Sequence, residues 1–366
     1  MKNTGIYIHI PFCKSKCPYC DFYSVPLDEA LADRYTAALT REISSSARDF
    51  GGECATVYVG GGTPSVLGEK QLSDIFSCVR KNFRLAENCE VTCEANPADM
   101  TRELAECLII SGVNRLSMGV QSGVDSELSV LGRRHDSARA EKAVAAARDA
   151  GFDNISLDLM TATPGQTEKS LSYSIDFLSS LSPRHISSYI LKIEDGTPFA
   201  KMRPQLSLPD EDGQAQLYLK SIEFLEKKGY HQYEISNFSQ KGFESRHNLG
   251  YWNCLPYFGF GPAAHGFIGG RRYYYPRDIE SYIERPERLD EGEGGTREEY
   301  AMLRLRLTDG LTDRLWRERF GEPLPHEYIE RARKYIKHGL VRDRDGISFT
   351  PEGFLLSNPL IAEIIY

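Results

Sequence analysis

The chain has 366 residues, 44 basic against 52 acidic side chains, a formal net charge of −8 and nine cysteines. Its length suits two or three domains, and 41% apolar with 26% charged residues is ordinary globular composition that excludes collagen-like and disordered classes. The opening MKNTGIYIHIPFC has no apolar stretch followed by a cleavage site, and no run approaches the ~18 apolar residues of a membrane span, so a cytoplasmic protein without a transmembrane segment is expected. Thiols there stay reduced, so the odd cysteine count is not a disulfide framework, and the acidic balance argues against nucleic acid as a partner.

In chain order, six β-rich runs recur: Ile6–Ile10, Thr56–Val59, Cys89–Glu94, Arg115–Val120, Ile155–Met160 and His185–Leu191. Helical patterns separate them at Glu29–Arg48, Lys70–Phe83, Thr101–Ser111, Ser137–Ala150 and Glu168–Leu181. Gly112 and Gly151 stand where helices end before the next strand. Strands alternating with helices indicate βαβ units and a parallel sheet. Six units are too few for a closed eight-stranded barrel and suit an open, partial one. Around Arg203–Pro209 the pattern gives way to a linker. A helix over Asp210–Lys228 and an aromatic, glycine-rich region to about Arg277 follow. Asp290–Gly295 reads as a second polar linker. The last ~65 residues read as mostly helical, ending in a hairpin with a turn at Asp345-Gly346, like the wing of a winged-helix domain.

The sharpest motif follows the first strand. Cys13, Cys17 and Cys20 give C-x3-C-x2-C within HIPFCKSKCPYCDFYS. Three thiolates on a short loop bind three corners of an iron–sulfur cube and leave one metal open. Structural zinc wants four protein ligands, and no fourth has a matching spacing. Cys89 and Cys93, four apart in a strand, lie ~13 Å from one another and cannot share an ion. They and the remaining cysteines are expected to pack as small hydrophobes.

In βα barrels functional groups gather at the C-terminal ends of strands. There this sequence has the cysteine loop, Gly60-Gly61-Gly62-Thr63-Pro64-Ser65, Glu94 in EANP, Gln121 in GVQS, and Asp158. A triple glycine lets backbone approach a ligand closely. Without a following Gly-Lys-Ser/Thr it is no phosphate loop.

C-x3-C-x2-C after the first strand of a six-fold βα pattern resembles the radical S-adenosylmethionine (SAM) superfamily. Such a resemblance implies a [4Fe–4S] cluster on Cys13, Cys17 and Cys20, SAM on the open iron, and a single-electron donor. YIHIPFC, GGGTPS, EANP, GVQS, LGRRH, DLM, HNLGYW and GFGPAAHG, in that order, resemble the oxygen-independent coproporphyrinogen oxidase group over nearly the whole chain. That likeness implies SAM contacts from Tyr7, Gly61, Gly62, Thr63, Glu94, Gln121, Arg133 and Asp158. It also implies an α/β fold: a partial (β/α)6 barrel over 1–203, an α+β extension over 204–295 and a winged-helix-like domain over 296–366. The segment Thr161–Gln166, TATPGQ, departs from the group's usual glycine-leucine-proline turn.

Within the group, Phe22 stands where oxidases carry a further cysteine, and only 12 residues precede Cys13. Both features resemble the sister branch of heme chaperones, HemW. That branch implies heme as cargo and a heme-acceptor protein as partner, with oxidative decarboxylation of coproporphyrinogen III as the alternative activity. His247 in HNLGYW is the candidate heme ligand. Residue chemistry equally allows a hydrogen-bonded histidine inside an aromatic core. Gly259-Phe260-Gly261-Pro262-Ala263-Ala264 reads as a structural loop, because the βαβ context of a dinucleotide site is missing. Residues 301–366 carry 11 basic and 10 acidic side chains, a net of +1, which favours packing or partner contact over DNA.

Overall fold

The computed structural model describes residues 3–48, 50–343 and 345–366. Six parallel strands form in the expected order: β1 (Thr4–Ile10), β2 (Cys54–Gly61), β3 (Leu85–Ala95), β4 (Arg115–Gln121), β5 (Ile155–Thr161) and β6 (His185–Ile190). Side chains two apart share a face of a strand. On β1, Ile6, Ile8 and Ile10 are fully buried under the helices, which leaves Gly5, Tyr7 and His9 on the face that lines the barrel interior. The same alternation aligns Arg115, Ser117, Gly119 and Gln121 along β4.

The intervening helices span Glu29–Ala47, Glu69–Asn82, Arg102–Ile110, Ser137–Asp149 and Glu168–Ser180. All but the Glu69–Asn82 helix, which starts after Gly68, begin at side-chain caps that satisfy free backbone N–H groups. Asp28 accepts from Leu31 N over 2.8 Å, Asp136 accepts from Arg139 N over 2.7 Å, and Thr167 forms a reciprocal pair with Ser170. Gly112 and Gly151 follow two helix ends with φ of +81° and +113°, the left-handed turn that stops a helix and releases the chain into a strand. A short helix at Asp125–Val130, between β4 and β5, carries no pattern long enough to announce itself in sequence.

The later chain extends this sheet on both edges. Tyr257–Phe260 pairs in parallel with β1, and the strands His265–Ile268, Arg271–Tyr274 and Leu289–Glu293 follow in antiparallel succession. Asn237–Ser239 pairs with β6 and is followed by His231–Gln232. A strand at Leu289–Glu293 corrects the linker expected at Asp290–Gly295. It is an exposed edge strand, so it is polar rather than alternating. Asp290 forms an ion pair with Arg271 across the ladder, and Gly292 takes a φ of +96°. GFGPAAHG is, as expected, a strand end and turn.

The C-terminal region has a three-stranded sheet ordered Leu311–Thr312, Gly346–Phe349, Val341–Asp343. Its hairpin is not terminal: helices Pro351–Leu355 and Ser357–Ile365 come after it. Their start is signalled by Thr350, which accepts from Gly353 N over 3.0 Å, and by Pro351 in the first turn. All nine cysteines are free thiols, and Cys54, Cys89, Cys93 and Cys254 are buried. Among the described residues no helix is long and apolar enough to cross a membrane.

Candidate functional site

The cysteine loop leaves β1 and is tied down on both sides. Val25 N donates to Pro11 O over 2.8 Å, Leu27 N to Cys13 O over 3.1 Å, and Phe199 N to Pro18 O over 2.9 Å. Lys14 pairs with Asp99 at 2.9 Å, and Arg134, next to Arg133, also pairs with Asp99. Cys13, Cys17 and Cys20 are all half-buried and line one cavity of about 170 Å³. The Cys13 thiol lies 3.3 Å from Thr63 Oγ1. Arg133 Nη1 donates to Cys17 Sγ over 3.4 Å. Burial pushes the Cys20 thiol up. Among the described residues no three His, Cys, Asp or Glu side chains are grouped to hold a single metal ion. Thiolates of a cluster sit on separate irons and do not need that convergence.

Seven of the eight residues expected around SAM line the same cavity: Gly61, Gly62, Thr63, Glu94, Gln121, Arg133 and Asp158. The triple glycine is required by packing. A Cβ at Gly61, where φ is +115°, would lie 2.7 Å from His9 Nδ1, and one at Gly62 would lie 2.7 Å from Phe12 O. Gly61 N donates to Glu94 Oε2 over 3.3 Å and Tyr58 OH to Glu94 Oε1 over 2.7 Å. Burial nevertheless pushes the Glu94 carboxyl up to about 7. Burial likewise pushes Asp158 up to about 6, against the opposing pull of Ser187, Arg115 and Arg133. A cationic or hydroxyl-bearing ligand would supply what both carboxylates lack.

Gln121 adopts a left-handed φ of +75°, a backbone strain typical of binding sites. Its Oε1 accepts from Tyr189 OH over 2.8 Å. Arg133 Nη2 donates to Gly119 O over 2.5 Å, while its buried Nε has no partner. Tyr7 stands apart from this lining. Its hydroxyl donates to His9 Nδ1 over 3.0 Å, and His9 Nε2 donates to Tyr23 O over 2.9 Å. The carbonyl can only accept, so Nε2 carries a proton, and burial, which lowers the pKa to about 4, keeps the ring neutral with Nδ1 as the acceptor. The unusual Thr161–Gln166 turn is built around Gln166, whose Oε1 accepts from Ala162 N over 2.7 Å and whose Nε2 donates to Glu127 and to Met160 O. Asp158 keeps its place on β5 beneath it.

A second cavity, of about 540 Å³, shares Tyr19, Cys20, Phe22, Glu94, Ser117, Asp158 and Tyr189 with the first. It falls in the size range of small-molecule sites. Phe22, 68% exposed, stands at both cavities. Sequence reasoning missed Tyr58, Tyr189 and Arg115. Strand alternation was the available signal: Tyr58 is two residues before Gly60, and Arg115 shares a face with Gln121.

His247, the candidate heme ligand, lies apart from both of these cavities. It opens a helix, Arg246–Trp252, packed against β2. Its Nδ1 is 2.8 Å from Thr56 Oγ1 and its Nε2 is 2.7 Å from Tyr251 OH. Its backbone N–H donates to Glu90 over 3.0 Å, and its ring stacks on Tyr58 at 5.1 Å. Both ring nitrogens are therefore engaged, and burial lowers the pKa to about 3. The adjoining cavity is about 220 Å³, below the usual ~300 Å³ floor for small-molecule sites. His265 is exposed and pairs with Glu291 at 2.8 Å.

An open six-strand parallel barrel with three cysteines on its first loop, above a rim of strand-end polar groups, is the architecture of radical SAM proteins. Residues 7–178 match the Radical SAM superfamily and residues 297–356 the HemN C-terminal domain. Heme chaperone HemW of Bacillus subtilis (strain 168) is 37% identical over 373 residues, covering 98% of each chain. Heme chaperone HemW of Escherichia coli (strain K12) is 37% identical over 266 residues, 72% of this chain and 70% of that one. Radical S-adenosyl methionine domain-containing protein 1, mitochondrial, of Danio rerio is 30% identical over 391 residues, 99% of this chain and 87% of that one. The solved structure of coproporphyrinogen III oxidase (HemN) from Escherichia coli superposes with a TM-score of 0.85 at 23% identity, covering 99% of this chain and 90% of that one, a likeness of fold. The chain belongs to the HemW family of the radical SAM superfamily.

Membership implies SAM and a [4Fe–4S] cluster. The residues present fit both: three half-buried thiols on one loop, two half-buried carboxylates whose pKa values are raised, and an Arg133 Nε without a partner, all at one cavity or its edge.

Proposed function

We propose that this protein is a heme chaperone that carries heme in the cavity below the SAM rim and passes it to an acceptor protein. The observation that supports this most is the cavity itself. It adjoins the cluster loop and is lined by Tyr19, Tyr58, Tyr189, Met160, Ile190 and Leu191, with Phe22 presenting an exposed ring at its mouth. Such a wall suits a flat apolar macrocycle. Cys13, Cys17 and Cys20 hold the cluster, and Arg133 steadies Cys17. Glu94 and Asp158 receive the amino group and ribose hydroxyls of SAM, while Tyr58 and Tyr189 orient Glu94 and Gln121. The cluster, when bound, supplies single-electron chemistry, so an electron donor is required. We take 1–203 as the cofactor-binding unit, 204–295 as the extension that clamps its sheet, and 296–366 as a partner-facing unit, in a cytoplasmic protein.

Anaerobic reconstitution followed by parallel assays tests this reading. Heme absorbance bands should appear at one heme per chain and pass to an apo-hemoprotein. Coproporphyrinogen III should go unconverted with reductant and SAM present. Absence of heme binding overturns the proposal, and formation of protoporphyrinogen replaces it with the oxidase reading.

A further inference from the structure

Arg115 sits at the start of β4 and is 2% exposed. Its Nε has no hydrogen-bond partner, and its side chain lines the 540 Å³ cavity rather than the cluster-side one. Two other cations line that cavity, and both are spoken for: Lys192 pairs with Glu194 at 2.6 Å, and Arg277 with Asp21 at 3.6 Å. Among the described residues no carboxylate lies within ion-pair distance of Arg115. Glu94 and Asp158 feel its charge from farther off, and each is committed to the SAM rim. A guanidinium withdrawn from water is costly unless an acceptor reaches it. Its planar fork matches a carboxylate through two parallel hydrogen bonds. The rest of the cavity wall mixes an aromatic and aliphatic side (Tyr19, Phe22, Tyr58, Met160, Tyr189 and Leu191) with polar groups that include Ser187, Asn237 and Asn248.

We infer that Arg115 anchors a free carboxylate of the molecule held in this cavity, a bulky apolar molecule bearing at least one such group. This rests on the heme reading above, since heme is a flat apolar macrocycle whose polar handles are propionates. Arg115 receives one propionate at the floor and so fixes which edge of the macrocycle enters first.

The test compares hemin with hemin dimethyl ester, in which the carboxylates are masked. Each is titrated into the reconstituted full chain, as wild type, Arg115→Met and Arg115→Lys, with SAM affinity and melting temperature measured in parallel. Wild type should prefer the free acid on the order of tenfold or more. Arg115→Met should lose the preference by weakening the free acid alone, and Arg115→Lys, which keeps the charge without the fork, should retain part of it. Equal binding of both forms by wild type overturns the anchor whether or not any variant folds, and leaves the heme reading standing. A folded Arg115→Met that keeps the preference overturns it too, the more so if SAM affinity falls instead. Failure of wild type to bind either form overturns the heme reading and the anchor with it.

Discussion

The Tyr58 hydroxyl donates to Glu94 Oε1 over 2.7 Å. That bond stabilises the charged carboxylate against the burial that pushes it up to about 7. Tyr58→Phe removes the donor and raises Glu94 further. SAM affinity at pH 7 should fall by roughly three- to tenfold, in line with the worth of a hydrogen bond to a charged group, and recover toward wild type at higher pH. Equilibrium binding across pH 6–9 checks this.

Glu94 gives a stability signature of opposite sign to an ordinary carboxylate. Its folded pKa lies above the 4.5 of a free glutamate side chain, so the folded chain holds the extra proton. The stability associated with that proton is present below about pH 4.5 and is lost as pH rises through about 7. Glu94→Gln should therefore stabilise the ligand-free chain at pH 8 by about 1–3 kcal/mol while weakening SAM. Chemical denaturation at pH 5 and pH 8 should show the gain only at the higher pH.

For the cluster, Cys13→Ser, Cys17→Ser and Cys20→Ser should each cut iron per chain sharply, whereas Cys78→Ser on a distant helix should leave it unchanged. Iron and sulfide analysis after anaerobic reconstitution decides. Because the three thiols are half-exposed at a cavity mouth, the melting temperature of the unreconstituted variants should barely move. Arg133→Lys should keep most iron yet increase its loss in air, since the guanidinium contact to Cys17 Sγ is gone.

His247→Ala should lose stability and keep heme. It removes bonds to Thr56 and Tyr251, a stack on Tyr58 and a filled volume. The expected cost is about 2–4 kcal/mol. A variant that melts like wild type but no longer shows heme absorbance would return His247 to the role of ligand.

The barrel was legible because each layer of it is local. The isoleucines of β1, the helical patterns that follow it and the left-handed Gly112 and Gly151 all state their structure within a few residues. The cysteine spacing and the polar groups at the strand ends were legible for the same reason. What stayed hidden depends on distant partners. Tyr58 and Tyr189 read as ordinary strand aromatics until Glu94 and Gln121 are placed opposite them. His247 sits 191 residues from Thr56, and only the fold shows both its ring nitrogens taken. The edge strand at Leu289–Glu293 was missed because solvent, not a core, sets its composition.

The pairing of β1 with Tyr257–Phe260 has a consequence for synthesis. The strand that launches the cysteine loop is made well before one of its two neighbours, which lies about 250 residues downstream. Until that segment leaves the ribosome, β1 is an exposed edge with unpaired backbone groups. The strand that carries the cysteine loop thus waits on a segment made much later before both of its edges are sealed. Co-translational capture of the nascent chain, or a shortage of iron at that moment, would act on an open sheet rather than on a finished barrel.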